Sequence, residues 1–143
     1  MNRLHVLILH SSDRKAADMA EALVNELVLL DCGAEIKSSA DKGSTPVTTA
    51  QYDVVCVMTR FSGLLKPQLP EEMDALLRRC SRLEGKRAVA LVPAKLGSGR
   101  ALKALMARME QQGMLVEDFD AVGGSGDVRP LARRIASLDP QQR

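Results

Sequence analysis

Residues 4–30, LHVLILHSSDRKAADMAEALVNELVLL, decide the fold of this chain. Residues 4–9 form an apolar run broken only by a histidine, which is typical of a parallel strand covered on both faces. After the polar residues 10–13, apolar residues recur at three- and four-residue spacing, which predicts a helix lying on the sheet and stopping at Gly33. The N-terminus of such a helix directs unpaired amide groups above the carboxyl end of the strand. We therefore expect a binding site there.

Length and composition exclude several classes of protein. The chain has 143 residues, of which 45% are hydrophobic, and we expect residues 1–143 to form a single domain. The formal charge is +2, the basic residues are scattered and aromatic residues make up only 2%, so nucleic acid binding is not expected. The chain shows no signal-peptide pattern and no apolar run near the roughly 20 residues of a membrane span. These features predict a cytoplasmic protein that does not bind membranes.

The cysteines and histidines do not predict a metal site or a disulfide framework. The 3 cysteines are far apart in sequence and no Cys-x-x-Cys motif occurs. The 2 histidines lie on one predicted strand. Cys56 falls within another predicted strand, where a buried and unreactive thiol is expected.

The rest of the chain alternates strand and helix patterns. Parallel strands joined by short helical crossovers predict a doubly wound α/β sheet in the order 2-1-3-4-5. Its switch point would lie beneath the loops after His10 and Met58, with the loop after Pro93 beside them. The further strands are expected at Ala34–Lys37, Tyr52–Met58, Ala88–Val92 and within Met114–Val122. One further helix is expected at Pro70–Leu83, one from its cap Ser98 to Gly113, and one after its cap Asp127. A short distorted helix is expected around Thr48–Gln51.

Six runs carry a family resemblance that covers nearly the whole chain. They are residues 6–12, 20–23, 52–55, 64–77, 85–90 and 97–102, and together they resemble a flavodoxin. The resemblance implies the flavodoxin-like fold, a three-layer sandwich around a five-stranded parallel sheet. It also implies non-covalently bound FMN and one- or two-electron transfer with a redox partner protein or domain. The flavin would carry the chemistry, so no side chain is expected to be catalytic.

The loop that holds the FMN phosphate in flavodoxins is rich in hydroxyls, contains a glycine and falls here on residues 11–16, SSDRKA. The resemblance assigns phosphate binding to Ser11, Ser12, Arg14 and Lys15. Arg14 replaces the glycine, and Asp13 stands where a threonine is expected, so an ionised carboxylate would repel the phosphate. The two basic residues can offset this repulsion by pairing with the phosphate. We therefore expect weaker binding than in a flavodoxin with an intact loop.

A simpler interpretation of the same loop involves no ligand. Ser12 or Asp13 would be only the N-cap of the helix, with Arg14 and Lys15 solvated in its first turn.

Two further loops flank the flavin ring in flavodoxins, and each usually offers an aromatic side chain. In the first loop, Phe61 matches such a position, although it could equally be a hydrophobic residue tucked under the next helix. The second loop has no aromatic residue, and Leu96 could pack against the ring instead. The flavin-binding candidates in these loops are Thr59, Arg60, Phe61, Ser62 and Gly63, followed by Lys95, Leu96, Gly97, Ser98 and Gly99.

Two other functions are weighed beside the electron carrier. The first is a flavin-free interaction module with the same fold, in which Arg14, Lys15, Arg60 and Lys95 hold another anion. The second is that of a glycohydrolase, based on a resemblance to TIR-type domains, in which Glu71 or Glu72 would be the glutamate of the glycohydrolase. A phosphorelay receiver is disfavoured, because no aspartate ends the strand before Thr59. The oligomeric state is left open.

Overall fold

The structure, a computed structural model, describes residues 3–40 and 46–138. Strands and helices alternate along most of the chain, as predicted, but within the described residues no helix lies between Thr48 and Val54 or between Ser81 and Arg87. The strands are β1 (His5–His10), β2 (Gly33–Ser38), β3 (Val47–Thr48), β4 (Val54–Met58), β5 (Cys80–Ser81), β6 (Arg87–Pro93) and β7 (Leu115–Val122). The helices are α1 (Arg14–Leu29), α2 (Glu71–Arg79), α3 (Ser98–Gln111) and α4 (Val128–Ala136), with a 3₁₀ turn at Ser125–Asp127.

Five strands form one parallel sheet in the order β2-β1-β4-β6-β7. Apart from the short strands β3 and β5, this is the predicted order 2-1-3-4-5, which is confirmed. The switch point therefore lies between β1 and β4, whose carboxyl ends carry the loops after His10 and Met58.

Side chains alternate across the central strands and build a core on each face. In β1, Val6 and Ile8 pack on the side of α1 and α4, whereas Leu7 and Leu9 pack on the side of α2 and α3. β4 is buried along its whole length, as its continuous apolar run predicts. Among the described residues, no helix has both the length and the apolar character needed to cross a membrane.

The ends of α1 and α2 differ from the predictions. α1 stops at Leu29, and Asp31 rather than Gly33 has the left-handed backbone, with φ 63°. Gly33 already belongs to β2, and the ring of His5 packs so closely on it that a Cβ would lie 2.7 Å from Nδ1. α2 ends at Arg79, because the chain then turns into the short strand β5.

The segment before β4 contains a strand instead of the expected distorted helix. Val47–Thr48 pairs in parallel with Cys80–Ser81. The hydroxyl of Thr49 donates to the carbonyl oxygens of Ser81 and Arg82, at 2.7 and 3.0 Å. Residues 41–45 of the long predicted loop lie outside the described residues.

Two predicted helix caps are also wrong in detail. α3 is preceded by Gly97, and Ser98 is its first residue, so the Ser98 side chain does not cap it. Asp127 does precede α4, but its carboxylate accepts the N–H of Gly123 at 2.7 Å instead of bonding to that helix. The predicted left-handed residue after α3 is present, since Gly113 has φ 86°.

Aspartates protect the open edge of the sheet at β7. The carboxylates of Asp118 and Asp120 accept the N–H groups of Phe119 and Ala121, each at 2.8 Å. Arg134 of α4 donates to both carboxylates, at 2.9 and 3.0 Å. Edge N–H groups that are already bonded to charged side chains offer a poor template for another strand.

Candidate functional site

Ser11 fastens the β1–α1 loop to the loop after β4. Its side chain is fully buried, and its backbone N–H donates to the carbonyl oxygen of Met58 at 3.0 Å. Its hydroxyl accepts the backbone N–H of Arg60 at 3.0 Å and donates to a carboxylate oxygen of Asp13 at 2.5 Å. The Ser11 hydroxyl therefore has a structural role in this arrangement and does not point towards solvent.

Asp13 caps α1. One of its carboxylate oxygens accepts the N–H of Ala16 at 3.1 Å, and its own carbonyl oxygen accepts the N–H of Ala17 at 3.1 Å. The simpler interpretation of this loop thus describes Asp13 correctly. The cap satisfies one of the N–H groups of the first turn. The N–H groups of Arg14 and Lys15 have no carbonyl acceptor within the helix, because they belong to its first turn.

Three donors converge on one oxygen of Glu72, the second residue of α2. This oxygen, Oε1, receives the Ser12 hydroxyl at 2.9 Å and Nη1 of Arg60 at 2.6 Å. The backbone N–H of Ser12 lies 3.4 Å from the same oxygen. A hydroxyl, an amide and a guanidinium gathered around one carboxylate oxygen form a small oxyanion site, here filled by the chain itself.

Arg60 is the cation at the centre of this cluster. Its guanidinium also lies 3.5 Å from a carboxylate oxygen of Asp13, so it faces two carboxylates. Sequence reasoning missed the role of Glu72, because 60 residues separate it from Ser12 and no local pattern links the two. We call Ser12, Asp13, Arg60 and Glu72 the loop cluster.

Hydrogen bonds hold both carboxyl groups of the loop cluster in their ionised forms. For Asp13, burial is the largest single influence and raises the pKa, but the hydrogen bonds to the carboxylate, led by those from Ser11 and Ala16, together outweigh it and lower the pKa. For Glu72, burial likewise raises the pKa, and the bonds from Ser12 and Arg60 outweigh it, so this pKa is also lowered.

These lowered pKa values predict an acid-sensitive contribution to stability. Ionised Glu72 stabilises the folded chain above its unfolded pKa of 4.5, and this contribution is lost as the pH falls through the lower folded value. We expect Glu72→Gln to lower the free energy of unfolding by about 1 kcal/mol or less at about pH 7. Urea unfolding of both proteins should show this difference shrinking towards zero at about pH 3. A difference that grows in acid would contradict the assignment.

A small apolar cavity lies beside the loop cluster. The space open to the centre of a water molecule is about 20 Å³, enough for about one water. A flavin ring therefore does not fit inside, and any such ligand would lie against the outside of the loops. The cavity is lined by Asp13, Lys15, Ala16, Met19, Met58, Thr59, Arg60, Val92, Pro93 and Val122.

The loops after β4 and β6 touch each other at Gly97. A Cβ on Gly97 would stand 3.2 Å from the carbonyl oxygen of Gly63 and 3.3 Å from the ring of Phe61. Gly97 has φ 92°, a backbone conformation that glycine adopts without strain. At this point the two loops leave no space for a planar ring between them.

Phe61 is buried, with only 4% of its surface exposed, and belongs to the core on the side of α2 and α3. Nζ of Lys95 lies 4.6 Å from the ring centroid and donates to the carbonyl oxygen of Phe61 at 3.0 Å. The ring is therefore covered and does not present an open stacking face in this arrangement.

The other predicted site residues lie in three different places. Thr59 is buried, and its hydroxyl donates to the carbonyl oxygen of Arg60 at 3.0 Å, so it supports the loop from within. Arg14 points away from the cluster towards Asp18, at 3.9 Å. The rest lie at or near the surface of the two ring-flanking loops: Ser62, which pairs with Gln68 through the backbone, Gly63, Leu96, Ser98 and Gly99.

Burial changes the acidity of two of the cysteine thiols. Burial raises the pKa of the Cys80 thiol to about 11 and raises that of Cys56 as well. Within residues 3–40 and 46–138, no group of three or more histidine, cysteine, aspartate or glutamate side chains is placed to hold a metal ion.

Comparison with known proteins finds similarity in structure rather than in sequence. No protein-family model matches the chain, and no curated protein matches it in sequence. Among solved structures, the two-electron reduced flavodoxin of Megasphaera elsdenii is 20% identical, with a TM-score of 0.71 over 93% of this chain and 99% of that one. Oxidised flavodoxin 1 of Bacillus cereus is 13% identical, with a TM-score of 0.70 over 94% of this chain and 99% of that one.

A larger protein contains a similar region. Rubredoxin oxygen:oxidoreductase from Desulfovibrio gigas matches over 94% of this chain but only 35% of its own, at 13% identity and a TM-score of 0.61. Similarity at this level of identity establishes the fold and not the function. By its structure, this chain has the flavodoxin-like fold.

Proposed function

We propose that this chain binds FMN weakly at the carboxyl edge of its sheet and transfers electrons to a protein partner. The observation that carries the proposal is the oxyanion site, where Ser12 and Arg60 direct three donors at a single anionic oxygen. This site adjoins the N-terminus of α1 and the switch point of the sheet, where ligands of open α/β folds bind.

The residues present fit a phosphate group if the Glu72 carboxylate moves out of the oxyanion site. A phosphate oxygen has the charge and the acceptor geometry of the carboxylate oxygen that Ser12 and Arg60 now hold. Lys15, which lines the neighbouring cavity, adds a second cation near the helix N-terminus. Asp13 opposes the phosphate, so the proposal retains the expectation of weak binding.

The residues present do not offer a stacked site for the flavin ring. Phe61 is covered by Lys95, and the loops meet at Gly97. The ring would instead lie against exposed aliphatic side chains, of which Leu96 is the most exposed. When bound, FMN supplies one- and two-electron redox chemistry, while the chain's own residues bind the phosphate and orient the ligand.

Titration with FMN tests this function. We expect saturable binding in the micromolar range, measured by the fluorescence anisotropy of FMN and by equilibrium dialysis. Riboflavin, which lacks the phosphate, should bind about tenfold more weakly, because the phosphate supplies the charge-assisted hydrogen bonds. Ser12→Ala should weaken FMN binding and leave riboflavin unaffected. Equal affinities for FMN and riboflavin would contradict the assignment of the phosphate to the oxyanion site.

The second candidate function is a flavin-free interaction module with the same fold. It is favoured by the contact between the two loops and by the Glu72 carboxylate in the oxyanion site, since both features complete the surface without a ligand. A protein that leaves FMN anisotropy unchanged and retains no FMN in dialysis would favour this candidate over the electron carrier.

A further inference from the structure

Three leucines on two adjoining loops form an exposed apolar patch. Leu64 and Leu65 in the loop after β4 are 52% and 73% exposed, and Leu96 in the loop after β6 is 80% exposed. The loops are joined beneath them, because a Cβ on Gly97 would lie 3.4 Å from Cα of Leu64. We call Leu64, Leu65 and Leu96 the leucine patch.

The two loops that carry the leucine patch, and the start of α3, contain basic residues close to it in sequence. Neither residues 59–70 nor residues 93–109 contain an aspartate or a glutamate. Lys66 follows the first two leucines, and Lys95 precedes the third. Arg100, in the first turn of α3, donates to the carbonyl oxygen of Leu65 at 3.1 Å. We call Lys66, Lys95, Arg100 and Lys103 the basic rim; Lys103 lies one helical turn beyond Arg100.

Within the part of the chain that the structure describes, the hydrogen bonds of two rim residues go to backbone oxygens and not to carboxylates. Lys95 donates to the carbonyl oxygen of Phe61 and Arg100 to that of Leu65, and a carbonyl does not neutralise a cation. By contrast, Arg60 pairs with Glu72 and Arg108 pairs with Asp74. The charge beside the leucine patch is thus left for a partner to balance.

The geometry points to the leucine patch and its basic rim as the docking surface for a protein partner with an acidic rim around an apolar spot. Burial of the exposed leucines against an apolar surface stabilises the complex. The basic rim attracts and orients an acidic surface as it approaches. A whole-chain charge of only +2 favours a small acidic protein surface over a flat anionic membrane, which would also meet the acidic residues outside the rim. The test of this docking surface does not depend on FMN, because it uses the chain without FMN. Leu96 is also the side chain against which the flavin ring is proposed to lie, so bound FMN would cover part of the patch.

The test uses a labelled peptide probe and the full chain without FMN. The probe is a fluorescein-labelled helical peptide in which leucines form one stripe and glutamates flank it; its control carries lysine in place of every glutamate. We expect the acidic probe to bind and the basic probe not to bind, as measured by anisotropy. Raising the salt from about 0.05 to about 0.3 M should weaken binding several-fold, because salt screens exposed charges.

Matched variants locate the binding surface. Leu65→Ser combined with Leu96→Ser should weaken binding about fivefold, and so should Lys66→Glu alone. Leu29→Ser removes a leucine that is 77% exposed at the other end of the molecule, and Arg133→Glu reverses an exposed charge on α4. These two control variants should bind the probe as the wild type does.

Three results would overturn the proposal. The first is no binding of the acidic probe, and the second is equal weakening by the control variants. The third is binding to vesicles of one part phosphatidylserine to four parts phosphatidylcholine without binding of the peptide, which would assign the patch to membranes. Failure of FMN to bind leaves these measurements unchanged, so the two proposals are tested separately.

Discussion

Glu72→Gln is expected to tighten FMN binding about tenfold, or about 1.4 kcal/mol. In the wild type, the Glu72 carboxylate holds the donors of Ser12 and Arg60, and it would repel a phosphate that approached them. Two like charges about 4 Å apart interact by about 4 kcal/mol near a protein surface. Because the Glu72 side chain is 26% exposed, solvent screening reduces this value.

Glutamine keeps the shape of the side chain and loses its charge. Its amide oxygen still accepts hydrogen bonds, but it competes with a phosphate less strongly than a carboxylate does. Glu71→Gln is the matched control, since it removes the same charge from the preceding residue of α2, whose side chain is exposed. The FMN dissociation constant should be about tenfold lower for Glu72→Gln than for the wild type and for Glu71→Gln. A similar gain in both variants would indicate a general charge effect and not competition for the oxyanion site.

Strands and helices could be predicted because their patterns are local. The apolar runs of β1, β4 and β6 mark strands buried on both faces, and the spacing of Met19, Leu23 and Leu27 marks the buried face of α1. The strand order followed from the alternation of strands with helices. Two-residue strands such as β3 and β5 have no periodicity, so no pattern predicts that they pair.

The candidate site could be located but not assembled from the sequence. The switch point and the start of α1 were predicted correctly, yet the role of each side chain depends on contacts between distant segments. Ser11 matches a phosphate-binding hydroxyl in the resemblance, but the structure places it in the interior between two loops. Glu72 fits an ordinary helix start in sequence, and only the crossing of α2 beside the β1–α1 loop brings it to Ser12.

The contact between the loops predicts that alanine lowers the stability of the protein at Gly97 and raises it at Gly99. Gly97→Ala places a Cβ against Gly63 and Phe61 and imposes a left-handed backbone on alanine, which costs roughly 1–2 kcal/mol before the crowding is added. We expect a loss of about 2 kcal/mol in the free energy of unfolding. Gly99→Ala meets nothing within 4 Å and lies in the first turn of α3, where alanine is favoured over glycine by at most about 0.5–1 kcal/mol, the value for a helix interior.

Urea unfolding of both variants checks the predicted changes in the free energy of unfolding. FMN titration of Gly97→Ala tests whether the contact between the loops excludes the flavin ring. If the closed loops exclude the flavin ring, separating them should raise FMN affinity although the protein is less stable. If the loops form part of the surface against which the ligand lies, the same change should lower the affinity. Equal stability of the two variants would mean that the loops do not meet at Gly97. Without that contact, the flavin ring would have room between the loops and need not lie outside them.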